Sequence, residues 1–211
     1  MKERQRAKSE RTREAIISAA EEEFAEKGFF GARVDAIATA AGVNKRMIYA
    51  HFESKDGLYS KVLSSVYARL AECERRFMVD GVPVKEAIRN IISVSFDFLM
   101  EDSSFVRILM WENLNLAKSI PADEVVRLKA PTLEYMTSVI RRGKNEGIFK
   151  NEIDEEQTVL SLMSFCFAYF SNIHTMSKIF KKDMTKPEEV KARAEYISDM
   201  LLSYLSFSSG K

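Results

Sequence analysis

The periodicity of apolar residues constrains the fold of this chain more than any other feature. No segment sustains the alternation of apolar and polar residues at every second position that indicates a half-buried strand. Apolar residues instead recur at helical spacing along the 211 residues, as amphipathic helices require. Glycine and proline, which interrupt helices, number only 8 and 4. We therefore predict an all-α fold.

Three helices are predicted in an N-terminal domain, which we place at residues 1–53. Gly28 is suited to end the first helix and Gly42 the second, because glycine readily adopts the left-handed conformation found at helix C-termini. Asn44 is a favourable N-cap for the third helix. The helices are expected at residues 12–27, 34–42 and about 45–51. This order of helices and turns is that of a helix-turn-helix arrangement.

The third helix has two faces of different chemistry. Ile48 and Phe52, at i and i+4, are expected to turn inward, and Lys45, Arg46 and Tyr49 outward. Lysine and arginine donate hydrogen bonds to guanine O6 and N7, and such a helix fits a DNA major groove about 12 Å wide. The residues alone leave a second interpretation open, in which the cations form a solvated face and the turns merely join bundle helices.

The rest of the chain, residues 54–211, is predicted to form a helical bundle. Pro131 is expected in the first turn of a helix that runs to about Asn145. Helix start signals occur at Ser54, at Pro131, at the capping-box pair Asp154 and Gln157, and at Pro187.

The charge, the cysteines and the apolar segments of the chain limit its binding partners and indicate its cellular compartment. A net charge of +1 excludes nucleic-acid binding by bulk charge, so any such binding needs a local arrangement. The two cysteines lie far apart, and no apolar segment follows the N-terminal cations, which predicts a reduced, cytoplasmic protein. The apolar run at residues 159–170 is broken by serines and too short to cross a bilayer, so no membrane contact is expected.

Enzymatic activity is not expected. His51 and His174 are the only histidines, and no nucleophile, phosphate-binding or paired-carboxylate motif can be placed. We therefore predict no catalytic residue, no metal site and no cofactor. The alternative that remains is a helical interaction protein without sequence-specific DNA binding. That alternative would explain the helices but not the cationic face of the third helix.

The stretch from Thr12 to Tyr59 resembles, without a gap, the DNA-binding region of the tetracycline-repressor (TetR) family of bacterial transcriptional regulators. The matching segments are FAEKG (24–28), IA (37–38), AGV (41–43), IY (48–49), HF (51–52) and SK (54–55). The resemblance implies that the third helix reads bases. It also implies that Tyr49, His51 and Lys55 contact phosphate or brace the fold. The DNA-binding residues predicted are Arg33, Asn44, Lys45, Arg46, Tyr49, His51 and Lys55.

Some positions depart from the family pattern or admit two interpretations. Arg33 stands where serine or threonine often opens the second helix, and Arg46 and Met47 stand where small residues are frequent. The bases that are read therefore do not follow from the resemblance. His51 is equally a partly buried histidine between helices. The N-terminal residues 1–13 hold six cations and two acids, which either lie along phosphates or in the minor groove, or form a solvated tail.

The C-terminal body resembles the effector-binding and dimerisation domain of the same family. The helix around residues 159–170 is apolar on nearly all sides and must be covered on two of them. The resemblance implies a two-fold homodimer through this helix and the last one, and core packing in a monomer is the alternative. The predicted interface residues are Phe167, Phe170, Ile197, Leu201, Tyr204 and Leu205.

The 14 phenylalanines and 10 methionines favour a small apolar or aromatic effector, although most of them are ordinary core residues. The pocket residues predicted are Phe96, Met100, Trp111, Asn115, Met136, Phe165, Tyr169 and His174. The sequence thus predicts a homodimeric regulator that represses by binding a near-palindromic, double-stranded operator. Effector binding is expected to release the DNA.

Overall fold

The computed structural model describes the backbone of residues 2–207 and the side chains of residues 4–207. Over that range the chain forms nine α-helices and no strand, so the predicted all-α fold is confirmed. One isolated antiparallel bridge joins Phe149 to Ser206. The helices are α1 (Lys2–Gly31), α2 (Val34–Ala40), α3 (Lys45–Phe52), α4 (Lys55–Glu74), α5 (Val84–Glu101), α6 (Ser103–Leu114), α7 (Ala122–Asn145), α8 (Glu155–Ile179) and α9 (Pro187–Leu205).

The helices divide into two compact units. The first unit comprises Met1–Arg69 and Ser103–Val126, and the second comprises Leu70–Asp102 and Arg127–Lys211. Helices α4 and α7 each contribute residues to both units. This division by packing differs from the functional boundary expected after Glu53, which stays a prediction.

The core of the first unit joins α1 to α4 and α6. Phe24 is fully buried, and its ring centroid lies 4.6 Å from that of Tyr59. Gly28 has a φ of 67° and interrupts α1 where the sequence predicts an end of the helix. A Cβ atom at Gly28 would lie 2.7 Å from the ring of Trp111, whose indole N–H donates to the Ala25 carbonyl at 3.4 Å. Glycine at this position therefore lets α6 approach α1 closely.

Three of the predicted N-caps form their hydrogen bonds. The side-chain oxygens of Asn44, Ser54 and Asp154 each accept from the backbone N–H three residues later, at 3.0, 2.9 and 2.9 Å. Pro187 occupies the first turn of α9, as expected. These caps satisfy N–H groups that have no partner inside the helix.

The prediction for Pro131 is wrong. Helix α7 begins at Ala122, so Pro131 lies in its interior and not in its first turn. Proline lacks an N–H group, so the hydrogen bond to the carbonyl four residues earlier is missing there. The carboxylates of Asp123 and Glu124 in the first turn favour the earlier start. The helix therefore continues through a residue that usually breaks one.

In the second unit, α5 packs against α8 and α9. The ring of Phe96 lies 5.6 Å from that of Tyr169 and 5.2 Å from that of Phe170. The fully buried ring of Phe149 lies so close to Gly143 that a Cβ atom there would be 2.1 Å from it. Aromatic packing on small residues thus forms this core.

One ion pair in the second unit is buried. The ammonium group of Lys129 donates to one carboxylate oxygen of Glu74, and the Thr132 hydroxyl donates to the other at 2.8 Å. The Lys129 and Glu74 side chains are 9% and 7% exposed. Each buried charge therefore depends on its partner, because water cannot take the partner's place.

Helix α8 is longer than the apolar run in the sequence suggests. It spans 25 residues, and an 18-residue window reaches a mean hydropathy of 1.2. Among the residues that the structure describes, α8 alone has the length and composition to cross a membrane, and 28% of that window is buried. An apolar helix that is covered only in part by its own chain equally fits the two-sided packing predicted for a dimer.

Candidate nucleic-acid interface

A turn fixed by backbone hydrogen bonds joins α2 to α3. Gly42 has a φ of 64°, and its N–H donates to the Thr39 carbonyl at 3.2 Å. The N–H of Val43 donates to the Ala38 carbonyl at 3.0 Å. Glycine adopts this conformation without the steric cost of a side chain, so the crossing of the two helices is set by the main chain.

The two predicted faces of α3 are separated in the structure. Ile48 is 0% and Phe52 5% exposed, so both side chains hold the helix against its unit. Lys45, Arg46 and Tyr49 are exposed on the other side. The inward residues keep α3 rigid while its polar side chains remain accessible to a ligand. Such an arrangement is able to place donors in a DNA groove.

The two cations of α3 differ in what they contact. Lys45 forms an ion pair with Asp35 of α2 at 3.0 Å, with both side chains largely exposed. Exposed pairs of this kind contribute little stability, so Lys45 can exchange Asp35 for another anion. Arg46 is exposed and forms no hydrogen bond or ion pair with the described residues. Its guanidinium group is therefore the more available donor.

The start of α2 is held by a carboxylate of α1. The backbone N–H of Arg33 donates to Glu23 at 3.0 Å, and Lys27 donates to the same carboxylate at 2.8 Å. Burial alone would raise the pKa of Glu23, but the hydrogen bonds from Lys27 and from the Arg33 N–H lower it overall. The Arg33 side chain is exposed and makes no capping bond to α2. The backbone at Arg33 is thus fixed while its guanidinium group faces solvent.

Lys55 is more constrained than the sequence suggests. Its ammonium group donates to the Ala32 carbonyl at 2.6 Å and lies 4.9 Å from the centre of the Phe29 ring. It thereby ties the start of α4 to the segment before α2. A phosphate contact by Lys55 stays a prediction, and it would have to use the remaining donors of the ammonium group.

The joint between α3 and α4 is tight. His51 is half-buried, and its ring lies 6.0 Å from that of Phe52, so both interpretations of this histidine stand. Glu53 has a φ of 65° and a ψ of −45°. The N–H of Ser54 donates to the Phe52 carbonyl at 2.6 Å. This is the geometry of a γ-turn with positive φ, which is rare and strained for a residue with a side chain.

The structure does not gather the predicted pocket residues at one place. Trp111 and Asn115 belong to the first unit and the other six to the second. Phe96 and Met100 line a groove of about 460 Å³ between α5 and α9. Phe165 lines a different groove, of about 330 Å³, between α8 and α9. A pocket shared by all eight residues stays a prediction.

Of the remaining candidates in the second unit, Tyr169 alone packs its ring against Phe96, with the centroids 5.6 Å apart. Met136 is 2% exposed and lies in the core. The hydroxyl of Tyr169 donates to the Met184 carbonyl at 2.7 Å, and His174 is exposed. Arg89 and Lys191 line the groove beside Phe96. Neither cation was predicted from the sequence, because exposed charges on a helix carry no sign of a nearby groove.

The predicted interface residues fall into two classes. Ile197 and Leu205 are 0% exposed within the single chain, so they are core residues that cannot bury further surface against a partner. Phe170 and Leu201 are also buried, at 8% and 5%. Tyr204 is 62% exposed, and Phe167 is intermediate. The periodicity of the sequence predicted the apolar face of α9 correctly. It could not distinguish the residues of that face that α5 and α8 of the same chain bury from those that stay exposed.

Large apolar side chains are exposed on both α8 and α9. Most of them were not predicted as interface residues from the sequence, because they alternate with polar neighbours. The large apolar side chains exposed there are Leu160, Met163, Met176, Ile179, Tyr196, Met200 and Tyr204.

Comparison with known proteins covers both parts of the chain. The family described as bacterial regulatory proteins, tetR family, matches residues 16–62. The family described as tetracyclin repressor-like, C-terminal domain, matches residues 83–201. The HTH-type transcriptional repressor NicS from Pseudomonas putida is 31% identical over 195 residues, which are 92% of each chain.

Solved structures share the fold. The transcriptional regulator FadR from Bacillus subtilis, in complex with stearoyl-CoA, superposes with a TM-score of 0.70 and 19% identity over 90% of this chain and 98% of that one. The ketosteroid transcriptional regulator KstR2 of Mycobacterium tuberculosis gives a TM-score of 0.71 and 18% identity over 93% and 95%. At sequence identities of 18% and 19%, the similarity to these two structures is a similarity of fold.

Proposed function

The chain belongs to the TetR family of bacterial transcriptional regulators, and from this premise we propose that it is a cytoplasmic, homodimeric repressor that releases its operator when an effector binds. Members of the family are regulators and not enzymes, as predicted. The operator is a near-palindromic duplex in which each α3 enters a major groove. The two half-sites lie about one helical turn apart or slightly more.

The face of α3 is the observation that carries this proposal. Buried Ile48 and Phe52 fix the helix, and exposed Arg46, Lys45 and Tyr49 stand on its opposite side. Arginine in this position suits the paired acceptors of guanine.

The exposed apolar side chains of α8 and α9 support a dimer. Seven large apolar side chains on these two helices are exposed in the single chain. Large apolar side chains exposed in this number on two helices favour burial against a partner. A second copy of the chain, related by a two-fold axis, would cover them and set the spacing of the two α3 helices.

The groove between α5 and α9 supports an apolar effector. Phe96, Met100 and Val190 supply apolar surface in its lining, beside the charged side chains of Arg89 and Lys191. Its volume of about 460 Å³ falls in the range of small-molecule sites. Fatty acyl and steroid ligands are the first classes to test, because two solved structures with this fold are a FadR in complex with stearoyl-CoA and a ketosteroid regulator.

A helical interaction protein without sequence-specific DNA binding remains the alternative. Selection of duplexes from a random pool distinguishes the two. We expect recovery of a near-palindromic sequence, and a chain that enriches no sequence would support the alternative.

Replacement of Arg46 by alanine is expected to weaken binding of the selected operator by about 1–3 kcal/mol, because the variant cannot form a bidentate hydrogen bond with guanine. Affinity for a scrambled duplex should fall less, so the ratio of operator affinity to scrambled-duplex affinity decreases. Fluorescence anisotropy with both duplexes measures this. Arg127, exposed on α7, provides the control Arg127→Ala, which should leave both affinities unchanged. An equal loss of affinity for both duplexes would show that Arg46 does not contact a base.

Effector binding is expected to lower operator affinity by about 5–150-fold, the usual range of allosteric coupling. Stearoyl-CoA and a ketosteroid are suitable first probes, and each is titrated against the protein with and without operator. DNA must weaken binding of the active probe by the same factor. Met100→Glu, which places a charge at the rim of the groove, should reduce the response without changing ligand-free DNA binding. A probe that binds in the groove and leaves operator affinity unchanged would contradict this form of regulation.

A further inference from the structure

One carboxylate of α1 holds two other helices of the first unit. The guanidinium group of Arg69 in α4 donates to both oxygens of Glu21, at 2.8 and 2.6 Å. The hydroxyl of Ser104 in α6 donates to the same carboxylate. The Glu21 side chain is 13% exposed and that of Arg69 is 40% exposed. Paired hydrogen bonds between arginine and a carboxylate fix direction as well as distance, so Glu21 joins α1, α4 and α6 at one point.

The two partners of Glu21 occupy special positions along the chain. Arg69 is the last residue of the first segment of the first unit, and the second segment begins at Ser103, directly before Ser104. Arg69 and Ser104 thus mark two of the three places where the chain passes from one unit to the other. A displacement that arrives along α4 or at the start of α6 therefore meets this carboxylate first.

Helix α6 is fixed to α1 beyond its first turn as well. The indole N–H of Trp111 donates to the Ala25 carbonyl at 3.4 Å, and the Trp111 ring lies against Gly28. Trp111 follows Ser104 by seven residues, about two helical turns, and Gly28 follows Glu21 by the same number. The two helices therefore run side by side in the same direction and are attached at both ends of this contact.

Helix α4 is held within the first unit at two points. Near its start, the ammonium group of Lys55 donates to the Ala32 carbonyl at 2.6 Å, and Glu21 holds it at Arg69. Lys55 and Arg69 are fourteen residues apart, roughly 21 Å along the helix at about 1.5 Å per residue. A helix attached at two such distant points cannot tilt against α1 unless one attachment opens. While Glu21 keeps its partners, α4 therefore moves together with α1 and α6.

We propose that Glu21 is a positioning residue that couples the second unit to the helix-turn-helix, because its carboxylate makes α1, α4 and α6 move as one body. The inference rests on the proposed function, since it concerns regulated binding of an operator. Glu21 acts through Arg69 and Ser104 and not by contact with DNA. Coupling between two sites is reciprocal, so the second unit must respond to bound operator. This reciprocity allows a test in which DNA is the only ligand.

The test measures amide hydrogen exchange with and without the selected operator. In the wild-type chain, operator should change exchange in α2 and α3 and also in two segments of the second unit, residues 70–82 and 95–102. These segments directly follow Arg69 and precede α6. Glu21→Gln removes the charge at nearly constant volume, so both second-unit segments should lose their response while α2 and α3 keep theirs. Glu22→Gln is the control, because Glu22 is the adjacent residue and is exposed, and it should give the wild-type pattern.

Ser104→Ala separates the two attachments of Glu21. It removes the hydrogen bond from α6 and leaves the pair with Arg69, so the response to operator should disappear at residues 95–102 and persist at residues 70–82. A general loss of stability would affect both segments alike, so this pattern distinguishes coupling from destabilisation. Circular dichroism checks that each variant is folded.

Three results would count against these expectations. Wild-type responses in both second-unit segments of Glu21→Gln would overturn the inference and leave the proposed function standing. A wild-type second unit that does not respond to bound operator would also overturn it, because Glu21 would then have no coupling to carry. Loss of the response at both segments in Ser104→Ala would contradict the separate attachments of α4 and α6. A wild-type protein that prefers no duplex would instead refute the proposed function.

Discussion

Replacement of Glu74 by alanine is expected to destabilise the second unit by about 3–5 kcal/mol, the usual cost of leaving one member of a buried ion pair without its partner. Lys129 would keep an ammonium group in a site where its side chain is 9% exposed. Thr132 would lose the acceptor of its hydroxyl as well. Urea unfolding, followed by circular dichroism, measures the change in the free energy of unfolding.

The double variant Glu74→Ala, Lys129→Met separates the effect of charge pairing from that of packing. Removal of both charges should restore much of the stability, because an apolar pair often replaces a buried ion pair at little cost. Arg89→Met is a control, since this arginine and its partner Asp199 are 50% and 68% exposed, and it should change stability by less than about 1 kcal/mol. Equal destabilisation by the single and double variants would show that the buried charge is not the cause.

Replacement of Met200 by glutamate is expected to convert the dimer into a monomer and to lower operator affinity by about 10²–10⁴-fold, because two linked half-site contacts become independent. Met200 is 37% exposed on α9 and lines the groove with Phe165 and Tyr204. Its side chain can thus carry a charge in the monomer but not against an apolar partner surface. Sedimentation velocity and operator titration measure the two effects.

Two variants control for misfolding. Leu201, the neighbouring residue, is 5% exposed, so Leu201→Glu should unfold the chain and not merely separate subunits. Met110 is 40% exposed on α6, so Met110→Glu makes the same change outside the proposed interface and should leave a dimer. Wild-type protein that sediments as a monomer at micromolar concentration would exclude the dimer proposal.

The α3 region was predictable because its signals are local. Gly42 supplies the left-handed residue of the turn and Asn44 the cap, and the i, i+4 pair Ile48 and Phe52 indicates the buried side. Each of these effects acts within a few residues. The helix and its exposed face could therefore be derived before any tertiary contact was known.

The body was less predictable because its contacts are long-range. The apolar stripe of α9 contains core residues such as Ile197 and exposed ones such as Tyr204, and periodicity treats them alike. Trp111 was predicted as a pocket residue, which stays a prediction, and its packing on Gly28 of α1 had no signal in the local sequence. Pro131 looked like a helix start, yet α7 runs through it. In each case, packing between distant segments decides what local sequence leaves open.

The γ-turn at Glu53 has a mechanical consequence. A flexible linker would let α4 move without α3, but a turn closed by the Ser54 to Phe52 hydrogen bond holds the two helices at a fixed angle. Lys55 adds a second attachment through the Ala32 carbonyl. Rotation at the start of α4 would therefore carry α3 with it, and a displacement of a few degrees there would shift together all the base contacts that we propose for α3.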